Sequence, residues 1–134
     1  MAKNKVELEA CEIEFLDNGI VHTHFKDGKL VQEGDVEAMF DEIRSILSGQ
    51  KCLLLVSTGT DATLTNEARA LASSPSSNDI IAADAIVVRD FYHQLTANVF
   101  IRHNKPDRPI KWFPNKESAV EWLLEHGDLL QNGA

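Results

Sequence analysis

The stretch LEACEIEFLDNGIVHTHFK, Leu8 to Lys26, decides how this chain begins to fold. Cys11, Ile13 and Phe15 alternate with Glu12 and Glu14, and Val21, Thr23 and Phe25 alternate with His22 and His24. That period of two is the mark of half-buried strands, and Asp17-Asn18-Gly19 between them is a turn sequence, so the stretch predicts a β-hairpin. A two-residue Asn18-Gly19 loop sets Phe15 opposite His22. A three-residue loop sets Phe15 opposite Val21, Glu14 opposite His22 and Glu12 opposite His24. The second register keeps apolar against apolar, and it puts Gly19 in the left-handed conformation that closes a type I turn with a G1 bulge.

After the hairpin and a short turn around Gly34, Asp35 and Glu37 bring acidic charge to the first turn of a helix. Its apolar face is Val36, Met39, Phe40, Ile43 and Leu47, and Gly49 is its stop. Cys52 to Val56 is a continuous apolar run of strand length, read as a strand covered on both faces and followed by the loop Ser57 to Asp61. Thr65 caps a helix over Asn66 to Ala72, and the serine-rich stretch Ser73 to Asp79 is a surface loop. Ala83 to Val88 gives another buried strand, Asp90 caps a helix running from Phe91 to His103, and Ile110 to Phe113 is a short last strand. Asn115 caps the final helix, with Ala119, Val120, Trp122 and Leu123 inward and Gly127 past its end. The order is ββαβαβαβα. Helical crossovers require parallel pairing of the later strands, so the expectation is an α/β fold with a mixed five-stranded sheet whose antiparallel part is the hairpin.

The chain has 134 residues, 43% hydrophobic and 25% charged, which fits one domain with a packed core. A formal net charge of -8, with no basic block, argues against nucleic acid and anionic membrane surfaces as partners. There is no apolar signal core near Met1 and no run long enough to span a bilayer, so a cytoplasmic location is expected. Cys11 and Cys52 both lie in strand-like runs without metal or redox spacing, and are expected as buried thiols.

A hairpin followed by three crossover units resembles the sporulation anti-anti-sigma fold, the SpoIIAA-like (STAS/SEC14) group. Ala83-Asp84-Ala85-Ile86-Val87-Val88 is similar to that group's fourth strand, Ile110-Lys111-Trp112-Phe113 and Glu117 to Leu123 to its closing strand and helix, and Glu67-Ala68-Arg69 to a segment of its uncharacterised members. The resemblance implies a bacterial regulatory module with a phosphorylatable hydroxyl at the start of the helix after the third strand. The corresponding stretch here is Asp61 to Glu67, where Thr65 is the nearest hydroxyl, without an adjacent aspartate or a following glycine. Glu67 already places negative charge in that first turn, so Thr65 is expected as a plain cap ahead of a phosphosite.

Two constellations carry candidate chemistry. The Glu14/His22 and Glu12/His24 ladder offers metal-ligand types, but on an ordinary solvent-facing alternation it is expected as a salt-linked surface with no metal. Ser57, Thr58, Thr60 and Asp61 follow one strand's carboxyl end and Asp90, Tyr92 and His93 follow its neighbour's, where open α/β sheets place ligands. No nucleophile elbow, phosphate-binding glycine loop or two-His zinc helix is present, so no enzyme and no cofactor are expected. The leading expectation is a noncatalytic module binding a protein partner, with surplus apolar residues on the Phe91 to His103 helix leaving room for a homodimer contact. The alternative is a carrier or sensor of a small apolar or amphipathic ligand, as the SEC14 comparison implies, with a cavity of a few hundred Å3 expected. An enzyme using Asp90 and His93 comes third.

Overall fold

The computed structural model describes residues 2–88 and 108–132, with the side chains of 5–88 and 108–130. The hairpin is formed by β2 (Cys11–Leu16) and β3 (Ile20–Phe25), in the register the side-chain faces require: Phe15 pairs with Val21, Glu14 with His22 and Glu12 with His24. Gly19 has φ +87°, as the bulged turn demands, and a side chain there would run into Leu130.

Among the described residues the main sheet has six strands rather than five. The added one is β1 (Ala2–Glu7), antiparallel to β2 at the sheet edge. Its sequence AKNKVE has no alternation to reveal it. An edge strand is held by main-chain hydrogen bonds that most side chains permit. The order continues through β3 to β5 (Cys52–Thr58), β7 (Ile81–Val87) and β8 (Ile110–Phe113), each pairing parallel with its neighbour. Two short strands, β4 (Leu30–Val31) and β6 (Thr63–Leu64), pair parallel as a separate ribbon.

Helix α1 (Glu33–Leu47) begins at Glu33, so Gly34 lies inside it and Asp35 stands in its first turn. Gln32 and Asp35 form a reciprocal capping box, which satisfies the first amides without a hydroxyl. Val36, Met39, Phe40 and Ile43 are buried against the sheet. Helix α2 (Asn66–Ala72) is capped by Thr65, whose Oγ1 accepts from the Ala68 N–H at 3.0 Å. Asn115 likewise caps α3 (Lys116–Glu125), which is followed by the short α4 (Asp128–Asn132). The Ser73 to Asp79 stretch is more than a surface loop: Pro75–Ser77 makes a 3-10 turn, and Ser73 and Ser77 are buried. The helix expected over Phe91 to His103 lies outside the described residues.

Two apolar clusters lie on opposite faces of the sheet. One gathers Ile13, Val21, Phe25 and Leu54 beneath α1 and α2; the other gathers Ile20, Leu53, Leu55, Ala83 and Ala85 beneath Ala119 and Leu123 of α3. Among the described residues, no helix is long and apolar enough to cross a membrane.

Candidate functional site

The parallel register between β3 and β5 sets His24 beside Ser57 and Phe25 beside Thr58. Strand β5 runs to Thr58 rather than ending at Val56, so Ser57 and Thr58 are consecutive strand residues and point to opposite faces. The crevice expected from Ser57, Thr58, Thr60 and Asp61 together is therefore divided. Thr60 and Asp61 belong to a third place. The loop after β5 is stitched to the turn after β3, with Gly59 N–H donating to Phe25 O at 2.7 Å and Thr60 N–H to Asp27 Oδ1 at 2.9 Å. Gly59 is required by that closeness, since a Cβ would collide with the Asp27 backbone. Thr60 and Asp61 are exposed there, and Asp61 takes a left-handed φ of 61° that aspartate tolerates. Asp90, Tyr92 and His93 lie outside the described residues.

On the α3 face, Ser57 Oγ lies 2.8 Å from His22 Nε2 and 2.8 Å from His24 Nδ1. A serine hydroxyl has one proton and two lone pairs, so it donates to one imidazole and accepts an N–H from the other. Across the hairpin stand Glu14 and Glu12, the latter 3.9 Å from Lys5 Nζ. Burial, with smaller contributions from Lys116 and His24 and against the opposition of Glu14, pushes the His22 imidazole down to about 4. The ladder is in register as expected, but both rings turn to a serine 35 and 33 residues on rather than making a purely salt-linked surface. The clue within the sequence was His22-Thr23-His24, two imidazoles on one strand face; their shared partner needed the β3 to β5 register. Among the described residues, no three His, Cys, Asp or Glu side chains converge as a metal cage.

On the α1/α2 face lies a cavity of about 120 Å3. Phe25, Met39, Phe40, Leu54, Val56 and Leu64 supply its apolar wall, and Thr58, Arg69 and Asp84 contribute polar groups. It opens toward the carboxyl ends of the parallel strands, the customary ligand position in open α/β sheets. The volume is below the few hundred Å3 expected of a carrier, yet close to the ~150 Å3 apolar cavity that admits benzene.

Asp84 reaches the rim of that cavity from an otherwise apolar strand. It is paired with Arg108, each side chain 4% exposed, and the guanidinium uses all five N–H donors. They go to both Asp84 oxygens, to the carbonyls of Ala72 and Ser74, and to Asn78 Oδ1. Burial pushes the Asp84 carboxyl above its ordinary range and the guanidinium opposes it. With both carboxylate oxygens engaged by a fully satisfied cation, the pair is held ionised. Arg108 sits in a polar segment that gave no sign of this role; Asp84 within the apolar Ile81 to Val88 run was the available signal. Cys11 and Cys52 are buried as expected, and burial pushes Cys11 up to about 11 and Cys52 higher still, so neither is a thiolate nucleophile.

A hairpin, parallel crossovers and helices on both sheet faces define a SpoIIAA-like α/β domain. In agreement, the chain is similar to the crystal structure of an uncharacterised protein of the DUF3478 family with a SpoIIAA-like fold from Shewanella loihica PV-4. The TM-score is 0.59 at 22% identity, covering 92% of this chain and 98% of that one. The chain belongs to the DUF7793 family, a domain of unknown function, whose model matches residues 14–127. No curated protein matches it.

Proposed function

We propose that this domain is a noncatalytic cytoplasmic module that binds a small apolar or amphipathic ligand in the cavity between α1, α2 and the sheet. The observation that carries it is the cavity itself, because tightly packed interiors leave few voids larger than a water molecule. Among the described residues, Met39, Phe40, Leu54 and Val56 wall this space, and such a lining favours an apolar molecule over water. The polar groups at its rim suit a ligand with one polar end.

Methyl NMR of the whole chain titrated with toluene tests this. Saturable shifts at Met39 and Leu54 are expected, and Val56→Phe, which fills the void, should abolish them while the remaining spectrum stays folded. Unshifted methyls at saturating toluene, or equal shifts in Val56→Phe, would sink the proposal.

A regulatory module acting on a protein partner or a second copy is the other reading. Leu124 favours it: the side chain is 47% exposed on α3, beside Val120 and the charged Lys116, Glu117 and Glu121. Sedimentation of the wild type against Leu124→Glu decides whether that patch joins two copies.

A further inference from the structure

We propose that His22 and His24 form a bidentate chelate for a divalent transition-metal ion of the Zn2+, Ni2+ or Cu2+ class on the polar face of the hairpin. The two residues are i and i+2 on one strand, so both imidazoles leave the same face. That spacing alone is common on solvated strands and carries little. What adds to it is Ser57, which brings His22 Nε2 and His24 Nδ1 each within 2.8 Å of a single atom.

A hydrogen bond to or from an imidazole nitrogen lies in the ring plane, along the direction a coordinate bond would take. Two such bonds meeting at one oxygen mean that two coordination directions already meet. Imidazole binds these ions at about 2.0–2.1 Å, so each ring has less than an ångström to close once the Ser57 hydroxyl rotates aside. Imidazole is the ligand these borderline ions prefer, while Mg2+ and Ca2+ would be poorly served.

Coordination requires both meeting nitrogens to be free of protons, which moves the remaining proton of each ring to His22 Nδ1 and His24 Nε2. Glu14 and Glu12 stand opposite the two histidines across the hairpin, and Glu14 already favours positive charge on His22. Negative charge that close to a ligating imidazole favours the bound cation. The nearby cations Lys5 and Lys116 oppose binding, and the two glutamates and the chain's net charge of -8 favour it. The chain supplies two ligands; water or the Ser57 hydroxyl fills the remaining positions.

The test is calorimetric titration of the whole chain with Zn2+. One saturable equivalent is expected, weakened at least about tenfold in His22→Ala and in His24→Ala. His126→Ala, whose ring packs on Trp122 and bonds its carbonyl, should leave binding unchanged. Ser57→Ala keeps both rings and should retain it. Absence of saturable binding, binding indifferent to both histidine variants, or complete loss in Ser57→Ala would overturn the assignment. Should the histidine variants unfold, Ni2+ added to the wild type decides: selective paramagnetic broadening of residues 12–14, 22–24 and 57 supports the site, and broadening elsewhere refutes it.

Discussion

The two faces of one sheet have been built to different standards. Strands β3 and β5 give Val21, Thr23, Phe25, Leu54, Val56 and Thr58 to the α1/α2 face, and Ile20, His22, His24, Leu53, Leu55 and Ser57 to the other. The first face stays apolar out to the hairpin because the 15-residue α1 and its neighbour α2 cover it. The second is apolar where α3 rests on β5, β7 and β8, with Ala83 and Ala85 allowing close approach. Beyond that helix, over β2 and β3, the same alternation delivers Glu12, Glu14, His22 and His24. Helix coverage, not strand identity, sets where polar chemistry can stand. The covered face must hide any polar group it carries, while the half-open face can display them.

The sharpest way to break this comparison is to remove one half of the Asp84–Arg108 ion pair, which is hidden on the covered face. Asp84→Ala leaves the Arg108 guanidinium buried without its counter-ion among carbonyls that cannot neutralise it. A loss of ~3–5 kcal/mol is expected by urea denaturation. Replacing both members, Asp84→Leu with Arg108→Met, should recover most of it, since well-packed apolar side chains serve a covered face as well as an ion pair does. A double variant as unstable as the single one would show that Arg108 holds Ala72, Ser74 and Asn78 in place irrespective of its charge partner.

The same contrast governs what the sequence made legible. The hairpin register followed from face matching because a one-residue slip would have exposed Phe15 and buried His22. The caps at Thr65 and Asn115 were legible because the donors they satisfy lie three residues away. Contacts made across parallel strands were not. Ser57 meets His22 and His24 only because β3 and β5 align Thr23 with Val56, and no local pattern fixes parallel register. Treating Ser57 and Thr58 as one loop followed from ending the strand where its apolar run ended. Strand β1 and the β4/β6 ribbon rest on main-chain bonding, which leaves no periodicity in the side chains.

On the half-open face, acid should act through His22. Its pKa is about 4 in the folded protein against an ordinary 6.5, so between those values the unfolded chain binds more protons. Stability is therefore fully present above about pH 6.5 and declines as pH falls toward 4. After allowance for solvent screening of a half-exposed ring, His22 should account for ~1–2 kcal/mol of that decline. Denaturation curves of wild type and His22→Gln, taken with a chelator present, should differ by a constant amount above pH 6.5, with wild type losing ~1–2 kcal/mol relative to the variant as pH falls to 4. Parallel pH profiles would place the ring in solvent and remove this distinction between the faces.

The smallest effect carries the opposite sign and belongs to the covered face. Thr23 is 0% exposed, and its hydroxyl has no hydrogen-bond partner among the described residues. It alternates with Val21 and Phe25, so it faces the cluster of Ile13, Phe40 and Ile43 rather than the histidines on either side of it in sequence. A buried unpaired hydroxyl is a net cost, and valine has nearly its shape without it. Thr23→Val should therefore raise stability by ~1 kcal/mol, read as a higher urea midpoint at unchanged slope. Should Thr23→Val instead destabilise, the hydroxyl has a partner in solution, most simply a buried water, and the covered face is less dry than its apolar wall implies.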